Sequence, residues 1–285
     1  MLTVLESIKL SEEYLLKKGI ESARINAELL LADVLDCKRL DLYLKFDQPL
    51  SEKEKSIYRE YIARRGKREP LQYILGEVEF FGVKLKVNNS VLIPRPETEL
   101  LVEYILNNTK KAKEVRVLDI GCGSGNISIA LAKNLPNAKV TGIDISAKAI
   151  ELAKENAIIN GVRNNIDFVE ADIMNELPSN VIINYDLIVS NPPYVSTKEF
   201  ENLQPEIKEY EPEIAVTDFE DGLKFYRRIS EKAKELLKEN GKVYFELAEG
   251  QSKDVSKILE RHGFENILIK KDYNGIDRII SGERK

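Results

Sequence analysis

From Val115 onward, short apolar runs of strand type alternate with helical patterns, and this rhythm restricts the chain more than any other feature. Val115 to Ile120, Lys139 to Ile143, Ile166 to Val169, Leu187 to Val189 and Lys242 to Leu247 read as strands. Helical patterns follow the first two, and later ones start near Gly222 and Gln251. Such strands have no polar face to offer water, so the alternation calls for an α/β fold: a mostly parallel sheet with helices on both faces. Two further strands, Asn266 to Ile269 and Arg278 to Ile280, are joined through Tyr273-Asn274-Gly275 with no room for a helix. The last strand is therefore expected to enter antiparallel.

Before this rhythm begins, the chain reads as helical. Leu2, Leu5, Ile8, Leu15 and Leu16, and then Ala27, Leu30, Leu31, Val34 and Leu35, recur at three- and four-residue steps, with Gly19 between them as a helix stop. Ser51-Glu52-Lys53-Glu54 fits a capping box that opens a third helix carrying Ile57, Tyr58, Tyr61 and Ile62. The Arg64-Arg65-Gly66-Lys67-Arg68 cluster near its end is expected to be a solvated turn favoured by the helix dipole, with a docking patch for a polyanion as the other reading. Glu77 to Val87, centred on Gly82, reads as a β-hairpin. Ile93-Pro94-Arg95-Pro96-Glu97-Thr98-Glu99 is a stiff loop leading into a helix from Leu100, near the junction between domains. The expected organisation is a helical domain at 1–75, a hairpin linker at 76–90 and the α/β domain at 91–285.

Composition narrows the function. Of 285 residues, 43% are hydrophobic and 32% charged, enough for a core and without the signature of disorder. The net charge of −5 argues against binding to nucleic acid through overall charge. Two cysteines, Cys37 and Cys122, and one histidine, His262, cannot build a disulfide framework or a Cys- or His-ligated metal centre, so no metal is expected. No apolar run is long enough to span a bilayer, and Glu6, Lys9, Glu12 and Glu13 interrupt the N-terminus. A cytoplasmic protein that engages no membrane is expected.

Val117-Leu-Asp-Ile-Gly121-Cys-Gly123-Ser-Gly125 is a strand running into a glycine-rich turn, with a helix from Asn126. Glycines here let the backbone turn tightly and approach a ligand closely. Thr141-Gly-Ile-Asp144 then ends the second strand with an acid placed to accept hydrogen bonds from ribose hydroxyls. This order points to an adenosine-containing cofactor. The dinucleotide fingerprint is not met, because the third glycine falls one position early at Gly125 and Asn126 takes its place. Asp119 at the strand end suits a cationic amino group better than a pyrophosphate. Both features resemble the class I S-adenosylmethionine (AdoMet) methyltransferases and argue against NAD. That resemblance implies that the Gly121–Gly125 loop, with Cys122, Gly123 and Ser124, holds the methionine part, and that Asp144 holds the ribose. Asp172, after the third strand, would then lie near the adenine; from spacing alone it reads equally well as a helix cap.

Tyr185-Asp-Leu-Ile-Val-Ser-Asn191-Pro192-Pro193-Tyr194 puts a strand's carboxyl end directly before Asn-Pro-Pro-Tyr. The two prolines remove backbone donors and leave carbonyls free to accept. The Asn191 side-chain carbonyl and a neighbouring carbonyl, that of Pro192, are placed to grip both hydrogens of a planar NH2 group, with the Tyr194 ring against its flat face. An amide or aromatic amine is a poor nucleophile because its lone pair is delocalised. Two acceptors favour a more pyramidal nitrogen, and alignment supplies rate without a strong base.

Here the sequence closely resembles the HemK/PrmC family, which methylates the side-chain amide nitrogen of glutamine in class I peptide chain release factors. The resemblance is carried by Arg68-Glu-Pro-Leu-Gln-Tyr-Ile74, Phe80-Phe-Gly82, Val91-Leu-Ile-Pro-Arg-Pro-Glu-Thr-Glu99, Asn156-Ala157, Ser190-Asn-Pro-Pro-Tyr-Val195, Glu211-Pro212, Asp221-Gly-Leu223, Gln251 and Gly275-Ile-Asp-Arg278. It implies a seven-stranded, Rossmann-like AdoMet methyltransferase domain and an N-terminal helical domain that recognises the substrate. The target would be the glutamine of a Gly-Gly-Gln tripeptide, the product S-adenosyl-L-homocysteine, and the enzyme a monomer with no stable nucleic acid complex. It further implies that Asn191 and Pro192 hold the amide with Tyr194 packing against it, that Pro193 completes the substrate site, and that Arg95 and Glu97 shape the wall between cofactor and substrate. Ile145, Ile173 and Asn191 would join the cofactor contacts. Cys122 stands where relatives usually have Thr, and Glu246-Leu-Ala-Glu-Gly250 is one residue longer than the commonest form.

The nearest rival is an N6-adenine or other exocyclic-amine methyltransferase on DNA or RNA, which poses the same chemical problem. Such enzymes usually carry a basic target-recognition region, and this chain offers only the Arg64–Arg68 cluster. A non-catalytic AdoMet-binding module is disfavoured by the intact tetrapeptide. Cys122 reads as a small side chain at a tight turn, and His262 as a partner of a helix C-terminus.

Overall fold

The chain is described by a computed structural model over residues 2–109, 114–181 and 184–285. It divides into two compact units, Met1–Gly76 with Gln204–Tyr210, and Glu77–Leu203 with Glu211–Lys285.

In the first unit, α1 (Val4–Lys17) opens on a capping box between Thr3 and Glu6, followed by α2 (Ala23–Val34), α3 (Glu52–Gly66) and α4 (Leu71–Leu75). The Ser51–Glu54 box caps α3 as expected. The core is built from Val4, Ile8, Leu15, Leu30, Leu31, Leu42 and Leu50. Of the residues expected on the buried stripe of α1, Ile8 and Leu15 are inside, joined by Val4, Ser7 and Ser11, whereas Leu16 is more than half exposed.

The basic cluster is not the solvated turn expected of it. Arg65 is buried, donating to Asn26 Oδ1 (2.8 Å), the Glu69 carbonyl (3.1 Å) and Glu206 Oε1 (3.1 Å). Arg68 also donates to Glu206 Oε1 (3.0 Å), and Arg64 pairs with Glu69. The counter-charge comes from the helix Pro205–Tyr210, which belongs to this unit.

The second unit begins with β1 (Glu77–Phe80) and β2 (Val83–Lys86), a hairpin closed by Phe81 and Gly82, both at positive φ. Phe80, Val83 and Leu85 join one of the two main cores of this unit. Then α5 (Pro96–Asn108), β3 (Val115–Ile120), α6 (Asn126–Asn134), β4 (Ala138–Asp144), α7 (Ala147–Ile159), β5 (Ile166–Glu170) and β6 (Tyr185–Ser190) follow. The chain ends with α8 (Lys224–Leu236), β7 (Leu237–Glu246), α9 (Ser252–Arg261), β8 (Phe264–Lys271) and β9 (Asp277–Arg284).

The seven strands β3 to β9 form one sheet in the order β5-β4-β3-β6-β7-β9-β8, parallel except for β9, which runs antiparallel to both neighbours. Alternate residues serve alternate faces. Val117 and Val189 pack with Leu101 and Ile105 of α5 and Ile127 of α6, whereas Leu118 and Ile188 pack with Ile229 of α8 and Val255 of α9. Strand β7 begins at Leu237, earlier than the apolar run suggests, because Leu237 pairs with Tyr185 across a register shift.

Candidate active site

Strand β3 is where the sheet order reverses, with β4 and β5 on one side and β6 on the other. Ligand crevices open at the carboxyl ends of strands at such a switch point. A cavity of about 490 Å³ lies there, lined by Gly121 to Ser124, Asp144, Ile145, Asp172, Ile173, Asn191 to Pro193 and Arg95, among others.

Its floor is the turn after β3. The Gly121 and Cys122 N–H groups donate to the Ile143 carbonyl (2.8 and 2.9 Å), and the Gly123 N–H donates to Asp144 Oδ2 (2.9 Å). Gly123 has φ +52, and a Cβ there would meet nothing within 4 Å. Gly125 is different: a Cβ would lie 3.0 Å from Phe168 and 3.2 Å from Ala153 and Ile129, so this glycine serves helix packing. Asn156, fully buried on α7, donates to the Ser124 and Lys86 carbonyls and accepts from the Lys86 N–H, tying loop and hairpin together.

Asp119 is fully buried beneath the loop. Its Oδ2 accepts from the backbone N–H (3.1 Å) and hydroxyl (2.6 Å) of Ser128, and its Oδ1 has no partner among the described residues. Burial pushes its carboxyl up to about 7, opposed by the Ser128 bonds. The Ser124 hydroxyl on the cavity lining is likewise unpartnered among the described residues. Burial also raises Asp144, against backbone N–H donors from Ser146 and Gly123. Asp172 both lines the cavity and caps a turn, accepting from the Met174 N–H and the Asn175 amide. Burial raises the Cys122 thiol well above its ordinary range.

The tetrapeptide leaves β6 beside this floor; the Ser190 hydroxyl donates to the Ile120 carbonyl (2.7 Å). Asn191 Nδ2 donates to Thr98 Oγ1 (3.1 Å), in the first turn of α5. The Tyr194 hydroxyl donates to Glu246 Oε1 (3.4 Å), and neither residue is on the cavity lining. The Tyr194 carbonyl accepts from Gln251 Nε2 (3.0 Å), and a Cβ on Gly222 would stand 2.5 Å from it. Arg95, the N-cap of α5, donates to Glu211 Oε1 (2.5 Å), which also takes the Ile93 N–H on its other oxygen. The structure thus gathers most of the expected residues on one cavity, while Asp119, Gly125, Glu97 and Tyr194 lie off its lining.

The chain matches the model of the PrmC N-terminal domain over residues 6–76 and that of a methyltransferase domain over residues 111–274. It is 46% identical over 275 residues to the release factor glutamine methyltransferase of Fusobacterium nucleatum, covering 96% of this chain and 77% of that protein. It is 45% identical to the Geobacter sulfurreducens protein of the same name, covering 98% and 96%. This chain belongs to the release factor glutamine methyltransferase family. The crystal structure of a methyltransferase from Pyrococcus furiosus, 20% identical with a TM-score of 0.51, covers 72% of this chain and 90% of its own and shares the fold.

Thr98, Ser128 and Glu246 hold functional groups of this glutamine methyltransferase family member, although no local pattern of residue types assigns them a role. One signal was available for Thr98. It shares a helix face with Leu101, Val102 and Ile105, all buried, so a polar residue there has to find a partner inside. Nothing local marks Glu246, whose surroundings come from α5, the tetrapeptide and β9.

Proposed function

We propose that this chain transfers the methyl group of S-adenosylmethionine to the side-chain amide nitrogen of the glutamine in the Gly-Gly-Gln motif of class I peptide chain release factors. The observation that carries this reading is Asn191. Its Nδ2 is committed to Thr98, which leaves its Oδ1 as the acceptor beside a glycine-floored cavity. Family membership supplies the substrate.

The residues fit the cofactor. The bare Asp119 Oδ1 and Ser124 hydroxyl suit a cationic amino end, and the open space over Gly123 admits a chain close to the backbone. A volume of about 490 Å³ falls within the range of ~300–1,000 Å³ typical of ligand sites. Gly121, Cys122, Gly123, Ser124 and Asp119 would hold the methionine part, Asp144 the ribose, and Ile145, Asp172 and Ile173 the adenine. Bound there, S-adenosylmethionine supplies an electrophilic methyl on a sulfonium sulfur. Asn191 Oδ1 and the Pro192 carbonyl would accept the two amide hydrogens, weakening delocalisation of the nitrogen lone pair; as the N–C bond forms, the sulfonium S–CH3 bond would break, leaving S-adenosyl-L-homocysteine, and one amide proton would pass to solvent. The dipoles of the two carbonyls stabilise the positive charge that develops on nitrogen. Pro193 would fix the backbone, the Tyr194 ring would pack against the amide while its hydroxyl is held by Glu246, and Arg95 and Glu97 would shape the wall between cofactor and substrate.

The 1–75 helical segment would recognise the release factor, with 76–90 as the linking hairpin and 91–285 as the catalytic domain. We place the enzyme in the cytoplasm as a monomer, with no metal. Methyl transfer from labelled AdoMet to a release factor, its Gly-Gly-Ala variant and duplex DNA tests the reading. Label on the release factor that vanishes in the variant is expected; label on DNA alone would overturn it.

A further inference from the structure

A primary amide has two ends of nearly equal size, so packing alone cannot decide which end of Asn191 faces the substrate. If the NH2 end did, it would present hydrogens to hydrogens and grip nothing. Something must therefore set the direction. Asn191 Nδ2 donates to Thr98 Oγ1 at 3.1 Å, and Thr98 is almost fully buried. A hydroxyl has one proton, that of Thr98 is committed to no other acceptor among the described residues, and the Thr98 hydroxyl favours the charged form of the buried Glu246 carboxyl. Glu246 is 2% exposed; its Oε1 takes the Tyr194 hydroxyl and its Oε2 has no partner among the described residues.

We propose that Thr98 and Glu246 are positioning residues that fix the orientation of the Asn191 amide, so that its oxygen faces the nitrogen to be methylated. This rests on the amide-methylating function proposed above. An ionised carboxylate only accepts hydrogen bonds, so Thr98 must spend its proton on Glu246 and can only accept from Asn191. The direction imposed by a buried charge is handed outward through the Thr98 hydroxyl to Asn191, whose Nδ2 donates to it.

The groups facing Glu246 allow this direction to be switched. Burial raises its carboxyl to about 7, Thr98 and Tyr194 lower it through hydrogen bonds, Glu97 raises it and Arg278 lowers it. Once protonated, Glu246 can donate to Thr98 and no longer dictates the orientation of Asn191.

The test uses the full-length enzyme at saturating AdoMet. Thr98→Val keeps the shape and removes the hydroxyl; kcat should fall about 10- to 100-fold, with KM and AdoMet affinity changed less than about threefold, a loss typical of misaligned reacting groups. Thr98→Ser restores the hydroxyl and should recover kcat to within about threefold of wild type. In Glu246→Gln the acidic limb of the kcat–pH profile should disappear. Independently of any substrate, NMR of 15N-asparagine-labelled enzyme should show an Asn191 side-chain N–H close to the Thr98 methyl and protected from exchange, and this protection should vanish in Thr98→Val. Wild-type kcat in Thr98→Val would overturn the proposal, as would an unprotected Asn191 amide in the wild type. Equal impairment of the Val and Ser variants with a shared fall in melting temperature would reduce Thr98 to packing and overturn it too. Failure of the wild type to label a release factor would sink the proposed function, while the NMR result would still decide the orientation of Asn191.

Discussion

Ser128 reaches Asp119 twice, through its backbone N–H and its hydroxyl, and both bonds fall on the same carboxylate oxygen. The other oxygen is left bare inside the protein. Burial pushes this carboxyl up to about 7, and only its ionised form attracts a cation. AdoMet affinity should therefore rise as pH increases through about 7 and level off above it, and Asp119→Asn should flatten the profile. Isothermal titration at a series of pH values checks this; a wild-type affinity independent of pH would contradict it.

The same group makes the ligand-free fold pH-sensitive. Its folded pKa is raised from an ordinary 3.8 to about 7, so the fold favours the neutral acid. That contribution is fully present below the unfolded value and is lost as pH rises through about 7. Glu246, raised from 4.5 to about 7, acts in the same direction. The melting temperature of the ligand-free protein should decline as pH rises from the unfolded values through about 7, and Asp119→Asn should reduce the slope.

Asn191→Ala removes an acceptor and leaves the glycine loop untouched. Turnover should drop more than about 100-fold while AdoMet still binds within about tenfold of wild type. Turnover at the wild-type rate would remove Asn191 from the chemistry.

In the N-terminal unit, Glu206 pairs with both Arg65, which is buried, and Arg68. Glu206→Ala strands a guanidinium inside and should cost about 2–4 kcal/mol, whereas Arg64→Ala, at a partly exposed pair, should cost less than about 1 kcal/mol. Urea unfolding followed by circular dichroism measures both, since the chain has no Trp to report.

Cys122 is 2% exposed and its thiol is held neutral by burial. Iodoacetamide at neutral pH should leave it unmodified in the native protein and alkylate it after unfolding, as read by peptide mass spectrometry. Cys122→Ser should retain methyl transfer.

The sheet was legible because strands buried on both faces carry their own signature, and β3, β4, β5 and β6 fall where their apolar runs are. The start of β7 was not, since Lys238-Glu-Asn-Gly241 reads as a turn and only pairing with β6 extends the strand through it. The glycine floor and the tetrapeptide could be read because each is a local pattern of residue types with fixed spacing. The grip on Asn191 could not: Thr98 lies 93 positions away, and a hydrogen bond across that distance leaves no periodic trace. Nor could the fate of Arg65, whose counter-ion stands 141 positions downstream. Charge clusters look solvated in sequence because the acid that neutralises them is chosen by the fold.

The segment Gln204–Tyr210 leaves the methyltransferase unit, completes the helical one and returns. A gene fragment that stops at Gly76 would encode Arg65 without its acid, and one that starts at Glu77 would carry an acidic helix with nothing to neutralise. Neither half is a heritable module that could be shuffled by a single cut, so the two units of this chain can be exchanged between relatives only together with that short stretch.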